Sequence, residues 1–428
     1  MDLKIEPKKK IKGEVNVPGD KSISHRALIL ASIAEGDSKI TGLLEAEDCL
    51  STMNIMRKLG VEVIKKSKGE YTVKGKGIEG LKEADDVLDC GNSGTSMRLL
   101  TGLLSSQNFY SVLTGDHSLR RRPMQRIIGP LTKMGAEIFS RRGGLAPLSI
   151  KGQKLTGIKY KLPVASAQLK SSLLLAALQS QEETAIIEPA VSRDHTERML
   201  KNTGVDLEIG SGKIILKKSK KRKLNPFNIK IPGDISSAAF FITAALTAEE
   251  GELLLKNVGI NYSRSGFLEV VEDMGGDIEL LNVREEAGEP TADILVRSSQ
   301  LKAAEISGDI IPRLIDEIPL IAVLAVSAEG KTVIRDAEEL RVKETDRISA
   351  VVNEFRKLGI SIEEFEDGMA VDGPACISGG KTLESHHDHR IAMSLAVLAL
   401  KTESAVTING SEIINTSFPG FAELLKSI

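Results

Sequence analysis

The sequence predicts an α/β fold of two similar domains, each made of three repeat units. Three observations carry that prediction. A pattern of helix, strand, helix and strand pair recurs six times along the 428 residues. A glycine follows the second helix in five of the six copies. The sixth copy stops short, while the chain opens on strand signals that have no helix of their own.

The first helix of each copy is apolar nearly all round, which predicts burial among its neighbours. Examples are S-I-S-H-R-A-L-I-L-A-S-I-A from Ser22 and S-A-Q-L-K-S-S-L-L-L-A-A-L from Ser166. Taking Ser22, Ser93, Ser166, Asp234, Asp316 and Asp388 as markers, the copies step by 71, 73, 68, 82 and 72 residues. A short strand follows, such as K-T-V-I-R-D-A from Lys331. The second helix then ends in a glycine C-cap signal, at M-R-K-L-G, L-T-K-M-G, L-K-N-T-G, V-E-D-M-G and F-R-K-L-G. Two alternating strands come next, as in V-E-V-I-K-K-S-K-G-E-Y-T-V-K-G from Val61. With a leading strand from the copy before, the unit reads βαβαββ.

In the sixth copy the second helix, F-A-E-L-L-K-S-I, reaches Ile428, where the glycine and strand pair are due. The simplest closure has the N-terminal strands complete the last unit's sheet. That predicts a discontinuous domain of residues 1–18 and 232–428, and an inserted domain of residues 19–231 holding the first three units. The chain then crosses between domains at V-N-V-P-G-D (15–20) and I-K-I-P-G-D (229–234), whose likeness suits two equivalent hinge strands. Binding of an anionic substrate is expected to bring the two domains together about these strands.

Composition narrows the function classes. Lys+Arg 57 against Asp+Glu 59 gives a formal charge of −2, which argues against a dedicated nucleic-acid binder. Cys49, Cys90 and Cys376 are odd in number and far apart, so neither a disulfide scaffold nor a C-x-x-C metal knuckle is expected, and a reducing compartment is. The N-terminus M-D-L-K-I-E-P-K-K-K has no apolar leader, and no apolar run is long enough for a membrane span. A soluble cytoplasmic protein is the expectation.

The chemistry gathers at helix starts. In P-G-D-K-S-I-S-H-R the first turn carries Lys21, Ser22 and Arg26 at an end the helix dipole already makes positive. Other starts carry Asn92, Ser93, Gly94, Thr95 and Arg98; Ser166 and Gln168; Asp316 and Glu317; and Asp388, His389 and Arg390. Free N–H groups, hydroxyls and several cations predict a pocket for a strongly anionic ligand. Loops add Arg120, Arg121 and Arg122, and L-R-V-K-E-T-D-R adds Lys343, Glu344 and Arg347, with Lys343 and Arg347 expected on one helical face. Each motif alone has a plainer reading: G-N-S-G-T-S-M-R as an ordinary N-cap, K-E-T-D-R as a solvated charge ladder. H-H-D-H-R holds three of the six histidines but lacks partner ligands elsewhere, so no metal is expected. No P-loop, Rossmann turn or G-x-S-x-G elbow is present. Acid/base and electrostatic work on small anions remains.

Together, P-G-D-K-S-I-S-H-R, G-N-S-G-T-S-M-R, R-R-P-M, S-A-Q-L-K-S, S-R-D-H-T-E, D-E-I-P, L-R-V-K-E-T-D-R and D-H-R-I-A-M-S resemble the 3-phosphoshikimate 1-carboxyvinyltransferase (EPSP synthase) family, in that family's order, from about Lys12 onward. The resemblance implies the inverse α/β barrel of enolpyruvyl transferases and transfer of an enolpyruvyl group from phosphoenolpyruvate to the 5-hydroxyl of shikimate 3-phosphate. It implies that Lys21, Ser22, Arg26, Ser166, Ala167, Gln168, Arg193, Asp316 and Lys343 hold shikimate 3-phosphate. For phosphoenolpyruvate it implies Lys21, Asn92, Gly94, Thr95, Arg122, Gln168, Arg347 and Arg390. Asp316, Glu344 and Lys21 are the implied catalytic residues. No metal or organic cofactor, no nucleic acid and no membrane are implied, and the family is usually monomeric.

Ala167 in S-A-Q and Thr416 before S-F-P resemble the family's second, glyphosate-tolerant branch, whereas Gly94 is kept where tolerant members can have alanine. Two rivals fit less well. The sister transferase acting on UDP-N-acetylglucosamine uses a loop cysteine that Cys49, Cys90 and Cys376 do not match, and it lacks D-K-S-I-S-H-R. An RNA 3′-phosphate cyclase-like enzyme is disfavoured by the net charge, the 3% aromatic content and the missing nucleotide loop.

Overall fold

The computed structural model describes residues 2–210, 212–219 and 222–428. The chain divides into two compact units. One, here the inserted unit, is Gly19–Ile231 with Glu286–Glu289; the other, the discontinuous unit, is Met1–Pro18, Pro232–Glu285 and Pro290–Ile428. Each has its own hydrophobic core.

The inserted unit runs α1 (Lys21–Ile33), α2 (Glu47–Lys58), α3 (Gly94–Ser105), α4 (Gln125–Lys133), α5 (Ala167–Ala177) and α6 (His195–Asn202). Its first helices are the buried ones: α1 is buried from Ile23 to Ile33 and α5 from Leu169 to Ala177. That is the packing expected of helices with no polar face. α3 lies along α5, and α1 packs on α3 and α6. Around them stand three four-stranded sheets. In each, a leading strand pairs in parallel with the strand after the first helix, which pairs antiparallel with the later strand of the hairpin. Leu88–Asp89, Tyr110–Thr114, Leu145–Lys151 and Glu137–Arg141 show the order. The parallel pair needs a crossover, and the first helix supplies it.

The discontinuous unit repeats the plan with α7 (Ile235–Thr247), α8 (Gly266–Asp273), a short α9 (Ile311–Leu314), α10 (Ile318–Ser327), α11 (Arg347–Lys357), α12 (His389–Ala399) and α13 (Phe421–Ser427). Every residue of α7 is buried, and α7, α10 and α12 pack on one another. The glycines after α2, α4, α6, α8 and α11 have φ between +82° and +98°, the left-handed C-cap that the sequence predicts. α13 has no hairpin after it; Phe421 instead seats it against Phe240 and Phe241 at ring separations of 5.7 and 5.9 Å.

The closure differs in one respect from the sequence expectation. Leu3–Ile5 joins the last repeat's sheet, antiparallel to Val406–Asn409. Lys10–Val15 does not: it pairs in parallel with Glu250–Gly259 and leads the fourth repeat's sheet. The first repeat is led by Asn228–Lys230, parallel to Asp37–Thr41. In each unit the first repeat's sheet is thus led by a strand from outside the three repeats: Asn228–Lys230 after the third repeat in the inserted unit, Lys10–Val15 from the N-terminal segment in the discontinuous one.

Candidate active site

In the inserted unit, α1 starts where Asp20 caps it, accepting from the Ile23 amide at 2.8 Å. No acidic residue lies in its first turn. Lys21 Nζ sits 2.7 Å from Asp48 Oδ2 on α2. One turn on, Arg26 is 3% exposed. Its Nε donates to Thr196 Oγ1 at 2.6 Å, Nη2 to Ser171 Oγ at 2.9 Å and Nη1 to the Ser22 carbonyl at 3.0 Å. Burial lowers its pKa to about 10, with Glu197 and Asp20 acting against the drop and Arg193 with it. It remains a cation at neutral pH. Arg193 and Ser22 are half-buried.

α3 is capped by Ser93, which accepts from the Ser96 amide at 3.1 Å, and again no acid lies in the first turn. Arg122 Nη2 donates to Asn92 Oδ1 at 2.8 Å, and Asn92 Nδ2 donates to Asp116 Oδ2 at 2.7 Å. Gln168, one residue into α5 after Ala167, joins the helices: it accepts from Arg98 and donates to Thr95 Oγ1 at 2.9 Å. Ser166 caps α5. A Cβ placed on Gly94 would stand 3.0 Å from Arg98 Nη1 and 3.5 Å from Arg122 Nη1. Gly94 thus keeps open the space beside two guanidinium groups, and the helix end offers N–H groups beside them.

In the discontinuous unit, Arg347 is 1% exposed and gathers three carboxylates. Its Nε donates to Asp388 Oδ2 at 2.7 Å, Nη2 to Glu344 Oε2 at 2.8 Å and Nη1 to Asp316 Oδ1 at 3.0 Å. Burial opposes its charge, but Asp388, Glu344 and Asp316 outweigh burial and raise its pKa above the usual arginine range. Arg390 donates to the Asp316 carbonyl at 3.2 Å and lies 3.8 Å from Asp316 Oδ2. Asp388 caps α12 while it holds Arg347, so one buried carboxylate fixes both the helix and the cation.

Lys343 departs from expectation. Helix α11 begins only at Arg347, because Asp346 caps it by accepting from the Ser349 amide at 3.1 Å. Lys343 lies before that cap, at the end of a 3-10 turn over Glu338–Val342, and does not share a helical face with Arg347. In H-H-D-H-R, His386 Nε2 lies 2.7 Å from Glu354 Oε1, and no group of three or more His, Cys, Asp or Glu among the described residues is arranged to hold a metal ion. No helix among them is long and apolar enough to cross a membrane.

The structure adds residues that sequence reasoning missed. Asp48 meets Lys21 from 27 positions away, and Ser171 and Thr196 meet Arg26 from 145 and 170. S-A-Q-L-K-S and S-R-D-H-T-E contain the last two, but nothing local distinguishes a ligand-facing hydroxyl from one that holds a cation. The helix ends of the inserted unit can hold anions, and the discontinuous unit gathers three carboxylates on Arg347.

The profile of the EPSP synthase (3-phosphoshikimate 1-carboxyvinyltransferase) family matches residues 5–425. The chain belongs to the EPSP synthase family. It is accordingly an enzyme of the transferase class and of the shikimate pathway. A 3-phosphoshikimate 1-carboxyvinyltransferase of Geotalea uraniireducens is 53% identical over 426 residues, covering 99% of this chain and 98% of the relative. One of Petrotoga mobilis is 50% identical over 430 residues, covering 100% and 99%. The solved EPSP synthase of Acinetobacter baumannii superposes with a TM-score of 0.90 at 46% identity, over 100% of this chain and 98% of that one. The enolpyruvyl transferase NikO of Streptomyces tendae, 19% identical with a TM-score of 0.81, shares the fold. The EPSP synthase family thus accounts for the whole chain, and the cyclase and UDP-sugar readings are not favoured.

Proposed function

We propose that the chain transfers the enolpyruvyl group of phosphoenolpyruvate to the 5-hydroxyl of shikimate 3-phosphate, in the cytoplasm, as a monomer and without metal or organic cofactor. The observation that carries the chemistry is the joining of Asp316 and Glu344 by one buried arginine, Arg347. Such a pair gives one carboxylate to accept a proton and another to deliver one, held in fixed relation.

In this reading Lys21, Ser22, Arg26, Ser166, Ala167, Gln168, Arg193 and Lys343 hold shikimate 3-phosphate, and Asp316 lies by its hydroxyl. Lys21, Asn92, Gly94, Thr95, Arg122, Gln168, Arg347 and Arg390 hold phosphoenolpyruvate. Glu344, with Lys21, delivers a proton to the methylene carbon, which makes C2 electrophilic. The 5-hydroxyl adds to C2 as Asp316 takes its proton. The tetrahedral ketal phosphate then collapses: the C2–O bond to phosphate breaks, a methyl proton returns to the protein, and the enol ether forms. Arginines and positive helix ends stabilise the charge on the leaving phosphate.

Phosphate release should require both substrates. Asp316→Asn should lower kcat by about a hundredfold or more, with a smaller change in KM. An asparagine variant as active as its parent would remove Asp316 from the role of base.

A further inference from the structure

The inserted unit buries two cations, Lys170 and Arg26, and treats them differently. On α5, Lys170 and Ser171 are neighbours; on α6, Thr196 and Glu197 are. Lys170, 1% exposed, takes the carboxylates: Glu197 Oε1 at 2.6 Å and Glu188 Oε2 at 2.8 Å. Arg26, equally buried, takes the hydroxyls, Thr196 Oγ1 at 2.6 Å and Ser171 Oγ at 2.9 Å, and these two hydroxyls lie 2.6 Å from each other. Its third acceptor is a carbonyl, that of Ser22. Among the described residues no carboxylate hydrogen-bonds Arg26, although Glu197 is the next residue along the chain from Thr196.

A guanidinium carries five N–H donors in a rigid fork. Three donors of Arg26 are engaged by neutral oxygens, which orient the plane without cancelling the charge. Burial of a cation with no carboxylate hydrogen-bonded to it is costly, and burial lowers the pKa of Arg26 although Glu197, Asp20 and Glu289 oppose the drop from a distance. An anion arriving at the remaining donors recovers it, and the charge-assisted bonds it makes are the stronger kind. A carboxylate in place of either hydroxyl would satisfy Arg26 in advance and leave less for a ligand.

We propose that Ser171 and Thr196 are positioning residues for substrate binding: they hold Arg26 by neutral acceptors so that its charge stays available to the anionic groups of shikimate 3-phosphate. The proposal rests on the substrate assignment above and deepens it. It assigns a role to the paired motifs S-A-Q-L-K-S and S-R-D-H-T-E, in which Ser171 and Thr196 cradle Arg26 while their neighbours Lys170 and Glu197 pair with each other.

Steady-state phosphate release by the full chain, with each substrate varied in turn, tests it. Thr196→Val should raise KM for shikimate 3-phosphate by about tenfold or more, with KM for phosphoenolpyruvate changed less than about threefold. Thr196→Ser, which keeps the hydroxyl, should restore the parental value. Ser171→Asp, which sets a carboxylate against the guanidinium, should weaken shikimate 3-phosphate further while the melting temperature holds. If Thr196→Val fails to fold, Ser171→Ala reads the same split. A KM for shikimate 3-phosphate within about twofold of the parent in Thr196→Val or Ser171→Ala overturns the proposal, as does an equal rise for both substrates. A parent that turns over neither substrate overturns the assignment beneath it, and the proposal with it.

Discussion

His25 sits between Lys21 and Arg26 on α1 and is fully buried, its Nδ1 2.8 Å from Thr52 Oγ1. Burial first, then the charges of Lys21 and Arg26, push its pKa well below the ordinary value. The folded chain therefore holds His25 neutral, while the unfolded chain protonates it at about pH 6.5. The unfolded state binds the extra proton, so this contribution is whole above about pH 6.5 and is lost as pH falls toward the folded value. His25→Gln should flatten the loss of stability between about pH 7 and 5, measured as urea midpoints; an unchanged slope would exclude His25 as a source of acid sensitivity. The charges around it were legible because cations at a helix start contradict the macrodipole. The partners were not. Ser171 and Thr196 come from the third repeat and Asp48 from the second helix of the first, and only the fold brings them near.

At the scale of elements, the site depends on how closely α3 and α5 approach. A Cβ on Gly102 would lie 2.1 Å from the Ser172 carbonyl oxygen, a backbone atom that cannot step aside. The same approach sets Gln168 between Arg98 and Thr95. Gly102→Ala should cost about 1–3 kcal/mol in urea unfolding and raise KM for phosphoenolpyruvate as the helices part. A variant as stable as the parent would show that the crossing has slack. Most elements could be read from sequence, since an all-apolar helix has one place to go and a glycine C-cap has one conformation. Lys343 was misplaced because the i, i+4 spacing of Lys343 and Arg347 assumes a continuous helix. Asp346 caps between them, and T-D-R carried that signal in the sequence.

For the whole molecule, the repeat foretold the two-part α/β architecture, but not which crossing strand leads which sheet. V-N-V-P-G-D and I-K-I-P-G-D are nearly interchangeable as strands, and parallel pairing gives no local mark of its partner. Closure of three repeats into one unit decides it, and that is a property of each unit rather than of any segment. The account's central claim is that the chain performs an addition–elimination at C2 of phosphoenolpyruvate, with the C–O bond broken. Phosphoenolpyruvate labelled with heavy oxygen at the bridging position, turned over with shikimate 3-phosphate, tests it most directly. The label is expected in the released phosphate; label retained in the organic product would contradict the mechanism.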